Sequence, residues 1–498
     1  MHYFLGLDTG TTHGKALLVN REGKELGFFK KEIPSYQPHA GFHEQHAEEV
    51  FTIMLTLVSQ ALAILPDDHQ PLNICFSHAM HSLLAMDKNG NPLSPVMTWA
   101  DTRSRDFAAK WKDTPIGTEI YRQCGTPIHP MSPLCKIAWI REQHPLIFER
   151  TARFISLKEY FIFRMTGVYE VDFSIAAATG LFETRNLKWH EPALTLAGIT
   201  AEQLSVPVSC THELPAMKDD ILHNLNANRP LLLIAGGSDG ALANIGSGAI
   251  RETIAGLTIG TSAAVRIFRK QAFTDPGHQL FCYSFDENMY LSGGATNNGG
   301  NLLDWFSASF TGKELRPEEV VALAEQSVPG ANGIVFLPYV YGERAPVWDP
   351  AAIPVFSGVS CRHTISDRAR AMLEGICFSM LQLIHAIELS GQPVQLVLAS
   401  GGFTASAFWL QLMADILQKE IRVSEDADAS ARGACMVGMK ARGIIRDWEE
   451  ISAMIPDMKS YKPDLDPGKA ELYRRHMEKY EQLYPFTRSL RPVGSVSL

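Results

Sequence analysis

The sequence contains no Cys-x-x-Cys pair, although it has eight cysteines, at positions 75, 124, 135, 210, 282, 361, 377 and 435. A disulfide framework or a cysteine zinc site needs clustered thiols. These scattered ones read as small core residues of a protein in the reducing cytoplasm. No apolar run approaches the ~20 residues of a membrane span, so no membrane partner is expected. Met1–Asp8 has no basic segment and soon meets an acid, unlike a secretory signal. Positive charge is not in excess: 45 Lys and Arg stand against 54 Asp and Glu, a net charge of −9. A nucleic-acid binder neutralises phosphates with a cationic face, so no nucleic-acid partner is expected. Two nucleotide signatures are also missing, G-x-x-x-x-G-K-[ST] and a G-x-G-x-x-G between strand and helix. Any nucleotide must be held in another way.

What is present is a globular composition, 46% hydrophobic and 20% charged over 498 residues, enough chain for two to four domains. Tyr3–Asp8 and Lys15–Val19 read as strands joined by the polar turn Asp8-Thr9-Gly10-Thr11-Thr12, and Leu26–Ile33 extends after a second turn. Glu48–Leu65 has helical spacing, Leu72–Phe76 is a short buried strand, and Pro145–Met165 and Pro192–Leu196 read as mainly helical. Leu231–Ile234 is another strand, ended by Gly236-Gly237. The polar tail after Tyr484 is expected to be loosely held.

The chain also repeats itself. Gly6-Leu7-Asp8-Thr9-Gly10-Thr11-Thr12 aligns with Gly256-Leu257-Thr258-Ile259-Gly260-Thr261-Ser262, about half the chain further on. The repeat predicts two similar α/β domains, 1–248 and 249–498, with Gly246-Ser247-Gly248 as a hinge and the two turns facing each other across a cleft. A Gly-Thr-Thr turn can aim successive N–H groups at one point and add two hydroxyls, which makes a phosphate cradle. An ordinary hairpin turn is the plain alternative. Asp8, replaced by Thr258 in the second copy, suits Mg²⁺ beside such a cradle, and Lys15 could reach a phosphate.

Asp239, at the end of a buried strand, is either the N-cap of a helix near 241–245 or a general base in the cleft. Met80 and His81 follow the strand at 72–76 and could meet a polyol; His78 and His81 lack a third partner for a metal. Trp99, Asp101 and Arg103 suit a polyhydroxylated ligand, with a surface ion pair as the alternative. His43-Glu44-Gln45-His46 lacks the H-E-x-x-H spacing and reads as a polar capping region.

Five segments in chain order resemble motifs of the FGGY carbohydrate kinases, in the actin/hexokinase-like ATPase superfamily. They are Asp8-x-Gly10-Thr11-Thr12-x-x-Lys15, Met131-Ser132-Pro133-Leu134-Cys135-Lys136-x-x-Trp139, Gly236–Gly240, Gly260-Thr261-Ser262 and Gly401-Gly402-x-x-x-Ser406-x-x-Trp409. The resemblance implies an α/β fold of two duplicated ribonuclease H-like domains around a central cleft. The sugar would sit mainly in the first domain and ATP mainly against the second. It implies phosphoryl transfer from ATP to a sugar hydroxyl, with Asp239 as general base and Mg²⁺ held by Asp8, through water, and Asp239. Gly10, Thr11, Thr12, Lys15, Gly260 and Thr261 would grip the phosphates, and Gly300, Gly402 and Ser406 would lie along the nucleotide. Met80, His81, Trp99, Asp101, Arg103 and His129 would hold the sugar.

Within the family, Ala79-Met80-His81-Ser82, Thr98–Arg103 and Gly125–Pro133 are similar to the gluconate kinases. That similarity implies D-gluconate as acceptor and 6-phospho-D-gluconate as product. Arg103, Lys136, His129 and His81 are the candidates for holding its carboxylate. A xylulose or other pentulose kinase is the alternative, and a non-catalytic sugar-binding regulator is the alternative of another class. Family members are often dimers or larger, which makes a homodimer the assembly to test.

Overall fold

The computed structural model describes residues 2–490, apart from 67, 69, 392, 425–427, 456 and 457. The strand Tyr3–Thr9 is buried at every position, as a central strand with both faces covered must be. Leu5 and Leu7 pack beneath the helix Ala47–Ile64, and Phe4 packs on the opposite face. One edge of this strand pairs antiparallel with His13–Val19, which pairs antiparallel with Glu25–Glu32. The other edge pairs parallel with Leu72–His78, itself parallel to Leu231–Ser238.

The second half repeats that order. Ile254–Ile259 is central, antiparallel to Ala263–Arg269, which is antiparallel to Met289–Thr296. On its other edge it is parallel to Leu396–Ser400, itself parallel to Glu420–Ser424. Phe281–Asp286 and Met458–Tyr461 extend this sheet at its two edges. The short sequence repeat is the legible part of a five-strand structural repeat.

Gly6 and Gly256 occupy equivalent positions, and both are glycine because a helix lies against them. A Cβ on Gly6 would stand 1.9 Å from the Ala431 carbonyl oxygen, and one on Gly256 would stand 2.5 Å from Asn244 Oδ1. Each first strand is therefore covered by the helix that follows the fifth strand of the other half: Ala429–Ala441 lies on the first sheet, Asp239–Ser247 against the second. The two helices meet at Gly246 and Gly433, where an added Cβ would lie 1.9 Å from the carbonyl oxygens of Ala429 and Leu242. Gly246 and Ser247 are thus helical residues in a packed crossing, not a free hinge loop; Gly248 ends the helix at φ 83°.

Other stretches also depart from the sequence reading. Residues 145–165 are mainly helical, as read, but in two pieces, the helices Pro145–Arg150 and Leu157–Thr166 around the strand Arg153–Ile155, because Ser156 and Glu159 form a capping box that starts a new helix. The strand Leu231–Ser238 runs through Gly236-Gly237, with a register shift there and Gly236 at φ 68°. The helix Pro467–Ser489 continues past Tyr484, and residues 491–498 of the tail lie outside the described residues. Two helices, Ala47–Ile64 and Ile365–Glu388, are long and apolar enough to cross a membrane by length and composition, against expectation. The second is almost wholly buried in the core of the second half, and the first buries an apolar stripe on the first sheet. All eight cysteines are free, and only Cys361 is exposed.

Candidate active site

In both Gly-Thr turns the glycine N–H closes the turn, though one residue apart: Gly10 N–H donates to His13 O at 3.1 Å, and Gly260 N–H donates to Ser262 O at 2.9 Å. Thr11, Thr12, Thr261 and Ser262 line one cavity of about 440 Å³ between the halves. A second cavity, of about 570 Å³, is lined by Gly260, Thr261, Gly300, Gly402, Phe403, Ser406 and Trp409. Thr261 belongs to both walls, so the two cavities adjoin at the second turn. Gly300 N–H donates to Gly260 O at 2.7 Å, which ties the glycine-rich segment to that turn. Ser406 Oγ accepts from Trp409 N–H and caps the helix Ala407–Leu417.

Asp8 lies behind the first turn. Its Oδ1 accepts from Ser77 Oγ at 2.5 Å, and Lys15 Nζ stands 3.9 Å from its Oδ2. Lys15 is also ion-paired with Asp428, and it lines neither of these cavities. Burial, reinforced by the Asp428 carboxylate, raises the Asp8 carboxyl to about 8.

Asp239 is on the first cavity's wall and is the first residue of its helix; Ser238 is the cap residue. The N-cap alternative therefore fails. Among the described residues Asp239 Oδ1 accepts only a local bond, from Gly240 N–H at 2.6 Å. Burial raises its carboxyl above the usual range, and Arg266 opposes that rise.

Met80, His81 and Trp99 line the same cavity. His81 has φ 66°, a left-handed backbone that is uncommon outside glycine. Its Nδ1 lies 2.8 Å from the Ala178 carbonyl oxygen, which can only accept, so Nδ1 carries the proton. Burial first, then Lys136, lowers the ring to about 3, so it stays neutral. Nε2 is left with a lone pair for an acceptor hydroxyl. Lys136 holds this geometry from behind. Fully buried, its Nζ donates to the carbonyls of His81 and Thr98, both at 2.7 Å. Burial lowers its ammonium to about 7.

Three of the expected sugar residues are not on the cavity wall. Arg103 forks onto Asp101, with Nη2–Oδ2 at 2.7 Å, reaches Glu44 at 2.6 Å and stacks 3.6 Å from the Phe42 ring centroid. Asp101 is fully buried in that pair. A buried guanidinium must be satisfied locally, and this one is. His129 is buried against Trp348, and burial keeps its ring neutral. Glu44 and Gln45 form a short strand, so the His43–His46 segment is only in part a cap.

The sequence reading missed the residues that the second half brings. Arg266, Tyr283, Ala295, Arg344 and Trp348 all line the first cavity, so its walls come from both halves. Arg266 had a weak signal, since it shares a strand face with Ala264, four residues past the Ser262 turn. Arg344 lies in the loop Gly342-Glu343-Arg344, which has no local pattern. Glu343 pins that loop by accepting from Thr296 Oγ1 at 2.6 Å and from Asn297 N–H at 3.0 Å.

Residues 3–246 match the FGGY family of carbohydrate kinases, N-terminal domain, and residues 255–442 match its C-terminal domain. The chain is 37% identical to a gluconokinase of Bacillus licheniformis, over 98% of this chain and 99% of that protein. It is 30% identical to a xylulose kinase of Staphylococcus epidermidis, over 98% and 97% of the two. The crystal structure of a gluconate kinase from Lactobacillus acidophilus superposes with a TM-score of 0.93 at 30% identity, covering 98% of this chain and 99% of the other. The duplicated fold, the matches to both domains and the full-length relatives lead to one conclusion: the chain belongs to the FGGY family of ATP-dependent carbohydrate kinases.

Proposed function

We propose that the chain phosphorylates a terminal hydroxyl of D-gluconate, yielding 6-phospho-D-gluconate and ADP. The observation that carries the transfer step is Asp239 on the wall of a polar cavity that adjoins a second one at Thr261. The nucleotide would occupy the second cavity, along Gly300, Gly402 and Ser406, with its phosphates between the turns at 10–12 and 260–262. In the first cavity, His81 Nε2 accepts from one acceptor hydroxyl and Trp99 packs on the carbon chain. Asp239 takes the proton of the attacking hydroxyl as its oxygen bonds to the γ-phosphorus and the bond to the β–γ bridging oxygen breaks. Closure of the two halves keeps water from competing. On this reading 1–248 and 249–498 are the working halves, with the acceptor held at their junction.

Mg²⁺ fits beside Asp8. Burial near a second carboxylate raises Asp8, and a cation would relieve that cost. Among the described residues no group of three His, Cys, Asp or Glu forms a direct cage, which suits an ion held largely through water and phosphate. Such an ion would neutralise charge on the transferring phosphoryl group. Asp8→Ala is expected to raise the Mg²⁺ needed for half-maximal rate about tenfold, as loss of one charge-assisted contact implies. The acceptor KM should not move. An unchanged Mg²⁺ titration removes Asp8 from the metal site.

D-Gluconate as acceptor is supported by the gluconokinase relative at 37% identity. The xylulose kinase relative at 30% supports a ketose as the second reading. ADP release with Mg-ATP, measured with D-gluconate, D-xylulose, glycerol and no sugar, separates them. Turnover with gluconate well above the rest is expected. Turnover with D-xylulose instead keeps the chemistry and discards gluconate.

A further inference from the structure

The cavity wall carries two guanidiniums that the protein leaves short of partners. Arg344 is 8% exposed. Its Nη2 donates to Thr296 O at 2.9 Å and its guanidinium carbon sits 4.8 Å from the Trp99 ring centroid, but its Nε is buried without a partner. Arg266 lies over the first turn of the helix Asp239–Ser247, where a Cβ on Gly240 would stand 2.7 Å from its Nε. Its Nε and Nη1 are buried without partners. Among the described residues neither guanidinium forms an ion pair. Among the described residues the single carboxylate on the same wall is Asp239, the proposed base.

A buried cation that gives up its hydration needs an anion to make that loss good. A planar guanidinium matches a carboxylate through two parallel hydrogen bonds. Position separates these arginines from the phosphate turns. Arg266 is four strand residues from Ser262, roughly 13 Å at 3.3 Å per residue. Arg344 is held over the first half, because Lys112 Nζ donates to the carbonyls of Val347 at 3.0 Å and Trp348 at 2.7 Å in the same loop. Arg103 and Lys136 are fully engaged elsewhere, so Arg344 and Arg266 are the cations on the acceptor cavity's wall, with Arg266 also facing the charge of Asp239.

We infer that Arg344 and Arg266 together form the subsite for the acceptor's carboxylate, and so select a sugar acid over a neutral sugar of the same length. The inference rests on the gluconate reading. In an extended six-carbon acid the carboxylate lies at the opposite end from the terminal hydroxyl; Arg344, over the Trp99 ring, suits that end, and Arg266, beside the helix that begins at Asp239, is the nearer of the two to the base.

The test compares D-gluconate with D-glucitol, the same chain with a hydroxymethyl group in place of the carboxylate, scored as substrate or as competitor of gluconate. Arg344→Gln and Arg266→Gln should each lower kcat/KM for gluconate about 10–100-fold, through KM, as loss of a charge-assisted bond implies. D-Glucitol and the KM for ATP should stay close to wild type. Equal losses on both acceptors, or a raised KM for ATP, overturn the assignment and turn the arginines toward the base or the phosphates. Arg344→Lys guards against misfolding: it keeps the charge without the fork and should fall between wild type and Arg344→Gln. A lysine variant no better than the glutamine one counts against the inference. Wild-type enzyme that ignores gluconate and phosphorylates D-xylulose overturns the gluconate reading itself. Wild-type activity on gluconate, with variants that lose both acceptors alike, overturns only the arginine subsite.

Discussion

Asp239→Asn is expected to lower turnover by on the order of 10²–10⁴-fold, the usual loss when a positioned base is removed. The substitution is nearly isosteric. The bond from Gly240 N–H can be kept by the amide oxygen, so the helix start should survive. What is lost is the ability to accept a proton. Burial keeps this carboxyl closer to neutrality in proton affinity than a surface Asp, which suits a base that must take a proton only as the new bond forms. Calorimetric titration with ADP should give an affinity near wild type, since Asp239 is not on the wall of the second cavity. Turnover within a few-fold of wild type would show that the acceptor hydroxyl needs no base here.

Lys136→Met is expected to cost on the order of 10²-fold in kcat/KM for the acceptor, the scale of loss for a misplacement of about 1 Å. The methionine fills much of the same space but leaves the carbonyls of His81 and Thr98 without their donor. Each unsatisfied buried carbonyl costs on the order of 1–3 kcal/mol. The loops that carry His81 and Trp99 would then shift to find other donors. The melting temperature should fall too, but the informative readout is the split: acceptor KM up, KM for ATP near wild type. A variant that melts early yet keeps both KM values would make Lys136 a plain core strut.

The two Gly-Thr turns were legible in the sequence because their parts are local. A glycine and two hydroxyls in three residues define each turn, and the repeated turns at 10–12 and 260–262 carry the duplication with them. The acceptor side was legible only in part. Asp101 and Arg103 read as ligand-facing because they are polar beside Trp99, yet tertiary packing closes them on each other and on Glu44. Lys136 read as a cation for a carboxylate, yet its partners are carbonyls some 40 to 55 residues upstream. Arg344 had no signal at all, since a loop about 245 residues from Trp99 stacks on that ring only after the halves meet. Local motifs report what a short segment does alone. They do not report which charges the fold cancels.

The exchanged helices make the two halves depend on each other. Each first strand is sealed at Gly6 or Gly256 by a helix from the other repeat, so one repeat alone would leave that face bare. A single repeat could seal that face only by pairing with a second copy, each lending its helix to the other. The two halves still differ where they face each other: an aspartate stands at position 8 and a threonine at 258, so the pseudo-symmetric pair has two unlike ends. Fragments 1–248 and 249–498 expressed together should find each other and regain activity, whereas either one by itself should aggregate.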